Sequence, residues 1–450
     1  MADRSNKSLS DWLLAHAKGS GLKAQLLRGA AGSAGILAGD RLIALLLSIL
    51  LARLLGAEGF GVYAHAVAIM TLASVLAEAG VPTLLMREVA AARVRRDWPT
   101  VQGAVRRGSQ LAVAAASIVA LAGLGLLTIF SDRLQQPALL TLSLMLAMLP
   151  IAAAAKVVVF ALRGLNRVLI GIAINSVVKK ALVLVIVVTV FAIWPALREP
   201  HVAMLAELLG VLAVLTIGVV ILSHSWSIEM GSAPPKHEDL KWLKSLPPFI
   251  VISGASVINA QIDLIMLGML RTPEDVGVYR AVVHGATLVG LGLQVANPIL
   301  SPRFAGMYAS GEMRTLETLV RRATRVIFIV AIPVIGAFFI AGDSILATVF
   351  GVDFARGHTA LAVLGVAQLI NVATGPMGIL LSMTGNEATN SKLLLAGAAV
   401  NIILNGVLIP IFGILGAAVA TSCALVLRNC LQAWMAYRIL GISIMGAARE

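Results

Sequence analysis

Ten ionisable side chains stand inside stretches that are otherwise apolar. Six are cationic (Arg41, Lys156, Lys179, Lys180, Arg280, Arg428) and four are anionic (Asp40, Glu78, Glu207, Asp263). Charges in such places are costly. They pair with one another, line a wet path or bind a charged ligand. Lys179, Lys180 and Arg428 each fall about twelve residues into an apolar stretch, too deep for a long side chain to reach either edge easily. Lys156 and Arg280 lie nearer the ends, where snorkelling accounts for them as well as function does. Helical spacing adds companions four residues away: Asn175 to Lys179, Asn259 to Asp263, and His284 to Arg280. Each pair fits either a wet cavity or a satisfied interhelical contact. Glu78 and Glu207 lie closer to stretch ends, and His65 and His284 read as packed histidines.

Other chemistries lack their residues. The chain has no GxxxxGK phosphate loop and no HExxH, and its seven histidines are scattered. Cys423 and Cys430 are its only cysteines, which fits a reduced, packed pair rather than a zinc site or a disulfide framework. The expectation is a protein that is not an enzyme and holds no metal or cofactor.

The elements that position these charges follow from composition. Of 450 residues, 59% are hydrophobic and 13% charged, with a mean hydropathy of +0.94. Soluble domains are about one quarter charged, so the sequence describes an all-α polytopic membrane protein. Stretches of roughly 20 apolar residues, enough to cross a bilayer, occur at about 33–54, 60–81, 109–130, 138–161, 168–193 and 201–223. Six more lie at 247–270, 277–299, 326–341, 359–383, 393–411 and 416–437. With a cytoplasmic N-terminus, 24 of the 35 Lys and Arg fall in cytoplasmic tails and loops, and five (Arg53, Arg133, Arg198, Arg271, Arg356) fall outside. That bias obeys the positive-inside rule. It predicts twelve transmembrane helices with both termini cytoplasmic, and makes the net charge of +13 a topology signal rather than a nucleic-acid footprint.

The chain also repeats itself. RLLGAEGFGVYA (53–64) and MLRTPEDVGVYR (269–280) share five of twelve residues at an offset of 216: Leu54/Leu270, Glu58/Glu274, Gly61/Gly277, Val62/Val278 and Tyr63/Tyr279. Pro82/Pro298 and Arg87/Arg303 keep the offset, and Glu78 aligns with Gln294. The reading is two homologous six-helix bundles, related by an axis along the membrane normal with a site between them. The predicted organisation is a cytoplasmic or interfacial segment 1–32, an N-lobe 33–223, a polar linker 224–245, a C-lobe 246–437 and a tail 438–450. Asp40 and Arg41 align with Ser256 and Val257, and Asp263 with Leu47, so the charges differ between copies while the scaffold is shared.

RLLGAEGFGVYA (53–64), IDLIMLGMLRTPEDVGVYRA (262–281) and NIILNGVLIPIFGILGAAVATS (401–422) carry a resemblance that covers nearly the whole chain. It resembles the Wzx-like oligosaccharide flippases, in the polysaccharide transport branch of the multidrug/oligosaccharidyl-lipid/polysaccharide exporter superfamily. The resemblance implies a V-shaped pair of bundles that moves a polyprenyl-pyrophosphate-linked oligosaccharide between leaflets of a bacterial inner membrane by alternating access. It implies a cationic cavity for the diphosphate, here Arg41, Lys179, Lys180 and Arg428 with Arg280. Asp40, Asp263 and Glu207 are the candidate coupling acids, for H+ or Na+, and Asn175 and Asn259 the polar lining. Implied partners are membrane lipids, the lipid-linked oligosaccharide and a polysaccharide polymerase. Two alternatives stay open: a lipid II flippase, and a drug or cation antiporter of the same superfamily. A polymerase or ligase is disfavoured by short outer loops, the longest being about 17 residues around 342–358.

The charge bias makes a direct prediction. Single cysteines at Ser131, Arg198 and Arg356 label from outside in intact cells, and those at Arg96, His237 and Arg314 do not. Reversal at two of these sites overturns the orientation.

Overall fold

The computed structural model describes residues 22–229 and 239–442; the extreme termini and most of the polar linker lie outside the described residues. Helix is the dominant element, and there is no strand among the described residues. In chain order the helices are α1 Leu22–Glu78, α2 Val81–Val94, α3 Trp98–Ile129, α4 Gln136–Gly164, α5 Val168–Ile193, α6 Pro200–Glu229 and α7 Asp239–Leu270. The second half continues with α8 Pro273–Val289, α9 Leu291–Ala309, α10 Met313–Val349, α11 His358–Thr374, α12 Met377–Met383 and α13 Glu387–Leu440. Among the described residues, nine helices are long and apolar enough to cross a membrane, and ten when α8 and α9 are taken as one span bent by 54°. The chain is a multi-span membrane protein.

Two of these helices are bent by a glycine that departs from helical geometry. Gly413 divides α13 at φ 55°, ψ −126°. The Thr421 hydroxyl then lies 3.4 Å from Asn401 Oδ1, twenty residues earlier. A straight helix would separate them by about 30 Å, so α13 is a hairpin. Gly56 (φ 70°, ψ −178°) divides α1 in the same way. Asp40 and Tyr63, on its two arms, both reach the neighbouring residues Lys180 and Lys179, the latter through Glu207. Both hinges need a backbone conformation that side chains other than glycine avoid.

Other expected spans are interrupted. The 60–81 stretch stops at Glu78, before Ala79 (φ 48°) and Gly80 (φ 76°), and Pro82 opens α2. The 277–299 stretch bends at Gly290, and 359–383 breaks at Gly375 (φ 71°) between α11 and α12. A π-helical turn, Ile174–Val178, sits inside α5. The expected outer loop at 342–358 is mostly ordered: α10 runs on to Val349 past a kink at Ala341, and a 3-10 turn follows at Val352–Gly357. Its apolar residues Leu346, Phe350 and Phe354 are buried and hold it against the core.

The repeat junctions meet each other. A Cβ on Gly61 would overlap the Pro273 carbonyl, and one on Gly277 would overlap the Ala57 carbonyl. The duplicated glycines therefore face each other reciprocally, letting α1 and α8 touch backbone to backbone as small residues do in membrane helix pairs. Around them Phe60 packs on Phe354 with ring centroids 6.2 Å apart. Arg53 donates to the carbonyls of Val349, at 2.8 Å, and Thr348, capping the end of α10. Arg271 likewise donates to Ile409 and Pro410 at the α13 hinge. One end of the molecule is thus stitched shut, between its two halves by the glycine, phenylalanine and Arg53 contacts and within the second half by Arg271.

A side chain at this contact has nowhere to go, and overpacking costs about 1–3 kcal/mol. Gly61→Ala and Gly277→Ala are expected to lower the melting temperature in detergent. Gly125→Ala, where a Cβ meets open space, leaves it at or above the wild-type value.

Candidate functional site

Below the stitched end lie two cavities of about 500 and 470 Å³. Arg41, Ala44, Arg280 and His284 line both, so the cavities meet along these residues. Lys156, Lys179, Lys180, Glu78 and Glu207 belong to the first, and Asn259, Asp263 and Arg428 to the second.

The three lysines are neutralised. Lys156 Nζ lies 2.7 Å from Glu78, Lys179 Nζ 2.9 Å from Glu207, and Lys180 Nζ 2.6 Å from Asp40. Each pair joins different helices or arms, and each is partly buried, where an ion pair must be well made to offset lost hydration. Glu207 is further satisfied by the Tyr63 hydroxyl at 3.1 Å. In the other half the equivalent tyrosine, Tyr279, donates to Asp263 at 2.7 Å. Asp263 also accepts from the Leu264 N–H at 2.8 Å and the Thr421 hydroxyl at 3.3 Å, which leaves it well solvated by the protein.

The arginines differ. Arg41, Arg280 and Arg428 have no carboxylate at ion-pair distance among the described residues. Arg41 and Arg280 act electrostatically on each other, and Arg41 on Lys180. Arg428 stands apart from that group: no charged side chain among the described residues acts on it, and its Nε is buried without a partner. Arg41 is exposed and Arg280 and Arg428 are half-buried; Asp263 acts on Arg280 from beyond ion-pair distance. Guanidinium without an ion-pair partner is what a bound anion would complete, since arginine clamps carboxylate and phosphate oxygens bidentately.

The structure therefore gathers Arg41, Lys179, Lys180 and Arg280 around one region, and puts Arg428 in the adjoining cavity. Asp40 and Glu207 serve as partners to lysines, while Asp263 is held by hydroxyls. Asn259 lines the second cavity and donates to the Ala255 and Leu394 carbonyls. Asn175 sits in the π-turn of α5 and lines neither cavity. His65 packs against Gly268, but His284 is a cavity residue that bonds Ser48 at 2.9 Å, not simply a packed one. Sequence reasoning missed the carboxylate-holding role of Tyr63 and Tyr279, though their recurrence in the repeat was the available signal. It also missed Gln261 and Gln368, which no pattern marks.

The fold is shared with solved membrane transporters. Over 91% of this chain and 96% of the other, it superposes with a TM-score of 0.70 on an inward-facing MATE family transporter, at 14% identity. Lipid II flippase MurJ in an inward closed conformation gives 0.67 over 89% and 86%, also at 14% identity. Within that fold class the sequence is decisive. Residues 26–308 match the polysaccharide biosynthesis protein family, and the chain belongs to it. Similar proteins include the probable low-salt glycan biosynthesis flippase Agl15 of Haloferax volcanii, 22% identical over 48% of this chain and 46% of its own length. The capsular polysaccharide biosynthesis protein CapF of Staphylococcus aureus is 24% identical over 39% and 44%. The chain thus spans about half the length of the curated relatives it matches.

Paired charges should be worth more together than apart. The double variant Lys179→Met/Glu207→Gln is expected to lose less stability than the sum of its single variants, by about 0.5–3 kcal/mol. Additive losses in detergent unfolding mean that the pair is uncoupled.

Proposed function

We propose that this protein flips a polyprenyl-diphosphate-linked oligosaccharide across the cytoplasmic membrane by alternating access, for assembly of a surface polysaccharide. One observation carries the reading. At the junction of the two cavities, lysines are paired with carboxylates, while Arg41 and Arg280 make no ion pair among the described residues and Asp263 acts on Arg280 only from beyond ion-pair distance. A diphosphate brings at least two negative charges to that place. Family membership and a relative named as a probable glycan biosynthesis flippase support the same substrate class. A cation antiporter fits less well, because its substrate would add positive charge beside two unmatched guanidinium groups.

In this reading the hinges at Gly56 and Gly413 divide α1 and α13 into two crossings each, and α8 with α9 makes one broken span. The count becomes twelve, in two six-helix lobes with cytoplasmic termini. The Gly61–Gly277 contact is then on the outer side, and the resting state faces inward. Lys179 and Lys180 assist by charge, held in place by Glu207 and Asp40. A proton or sodium ion is the proposed driving ion, with these acids and Asp263 as the groups able to take it.

The test is transport of a lipid-linked oligosaccharide in proteoliposomes. Arg41→Ala and Arg280→Ala are expected to abolish it while folded yield is retained. Arg280→Lys is expected to recover only part, because an ammonium cannot clamp bidentately. Wild-type rates in both alanine variants would remove the diphosphate from this site.

A further inference from the structure

The two cavities have opposite chemistry. Among the described residues the first is lined by no asparagine or glutamine: its polar lining is charged pairs, hydroxyls, His284 and the shared Arg41 and Arg280, beside apolar residues such as Met70, Met148 and Phe160. The second is lined by five amides, Asn259, Gln261, Gln294, Gln368 and Asn401, with Arg428. The repeat shows the contrast at matched positions. Glu78 lines the first cavity and its equivalent, Gln294, lines the second.

Most of these amides keep hydrogen-bonding capacity for something in the cavity. Gln261 Oε1 is buried with no partner. The side chain of Gln294 makes no hydrogen bond among the described residues. Gln368 uses its oxygen to accept from Asn371, leaving its NH2 group, and Asn259 uses its NH2 group, leaving its oxygen. The result is a mixed set of donors and acceptors. A diphosphate, which only accepts, cannot satisfy the carbonyl oxygens in that set. Hydroxyl groups both donate and accept, so a sugar satisfies both kinds. An unmet buried acceptor is costly, which makes the complementarity selective.

Arg428 adds one charge. Its aliphatic stem runs past Gly397, where a glycine leaves it room, and it stands outside the electrostatic group formed by Arg41, Arg280 and Lys180. Arg41, Arg280 and Asp263 line the same cavity, but Arg428 makes no ion pair with them and its Nε is buried without a partner; a sugar carboxylate matches its single charge and planar fork bidentately.

We propose that the second cavity is the glycan subsite, and that Arg428 with Gln261, Gln294 and Gln368 selects an oligosaccharide bearing a carboxylated sugar. This rests on the flippase reading and adds a division of labour: diphosphate at Arg41 and Arg280, glycan in the amide-lined half. It also means that Arg428 recognises the sugar rather than the lipid diphosphate.

The experiment is binding to the purified full-length protein, read by thermal shift across a ligand titration. The probes are inorganic pyrophosphate and a panel of tetrasaccharides containing glucuronate, galacturonate or mannuronate, each beside its carboxyl-reduced counterpart. At least one acidic tetrasaccharide is expected to bind about tenfold more tightly than its reduced form. Arg428→Gln is expected to erase that preference and to leave pyrophosphate affinity within about twofold, while Arg280→Gln does the reverse. Lack of any carboxyl preference across the panel overturns the proposal, as does a preference that survives Arg428→Gln. Loss of pyrophosphate binding in Arg428→Gln also overturns it, by returning Arg428 to the diphosphate. If the wild type ignores pyrophosphate, the diphosphate reading fails, and the carboxyl preference still decides the glycan subsite separately.

Discussion

The structure depends on how buried positive charge is compensated. An uncompensated cation at the bilayer centre costs about 2.5–3.5 kcal/mol on insertion scales, and six cations lie within the apolar stretches of this chain. Three are balanced by carboxylates brought in from other helices or arms, and those pairs tie α5 to both α1 and α6. The other three are arginines around the cavities. Compensation is thus split between ion pairs that hold the helices together and arginines that make no ion pair among the described residues.

Against that balance works the closed end. The Gly61–Gly277 contact, the Phe60–Phe354 pair and the Arg53 cap join the two halves on one side of the cavities, and Arg271 ties α7 to the α13 hinge within the second half. Backbone contact of this kind is made or broken as a unit, since packed interfaces are bistable rather than continuously deformable. Arg41 and Arg280 belong to opposite halves of the chain, on α1 and α8, the helices that also make the contact. A ligand that draws those arginines together therefore acts on the elements that hold the end shut, and its binding energy can bias one state over another only through such differential contacts.

The two halves share a scaffold and diverge in chemistry. The tyrosine of each repeat holds a carboxylate, but Tyr63 serves Glu207 in a salt-bridged setting and Tyr279 serves Asp263 among hydroxyls. Glycine and tyrosine positions recur because backbone contact and carboxylate positioning are needed twice. Glu78 and Gln294 differ in charge at matched positions, one in each cavity. Duplication supplied the frame, and divergence supplied an asymmetric cavity.

Much of this was legible in the sequence. Hydropathy located the apolar helices, since a bilayer admits only backbone that bonds within itself. The shared Gly-Val-Tyr positions announced the repeat, and the charges in apolar stretches marked many of the residues that line the cavities, including Arg41 and Arg280. What the sequence left open was partnership. Nothing in a linear order says that Lys180 meets Asp40 while Arg428 meets no acid, because both facts depend on helices far apart in the chain. Breaks in the helices, at Gly290 and in the π-turn of α5, were likewise invisible to hydropathy, which averages over a window. The amide cavity was hidden for a related reason: Gln261, Gln294 and Gln368 lie on α7, α9 and α11, and neutral amides carry no charge to flag them. Sequence determined which groups must be buried. Tertiary structure decided which of them are already satisfied, because satisfaction is a matter of distance.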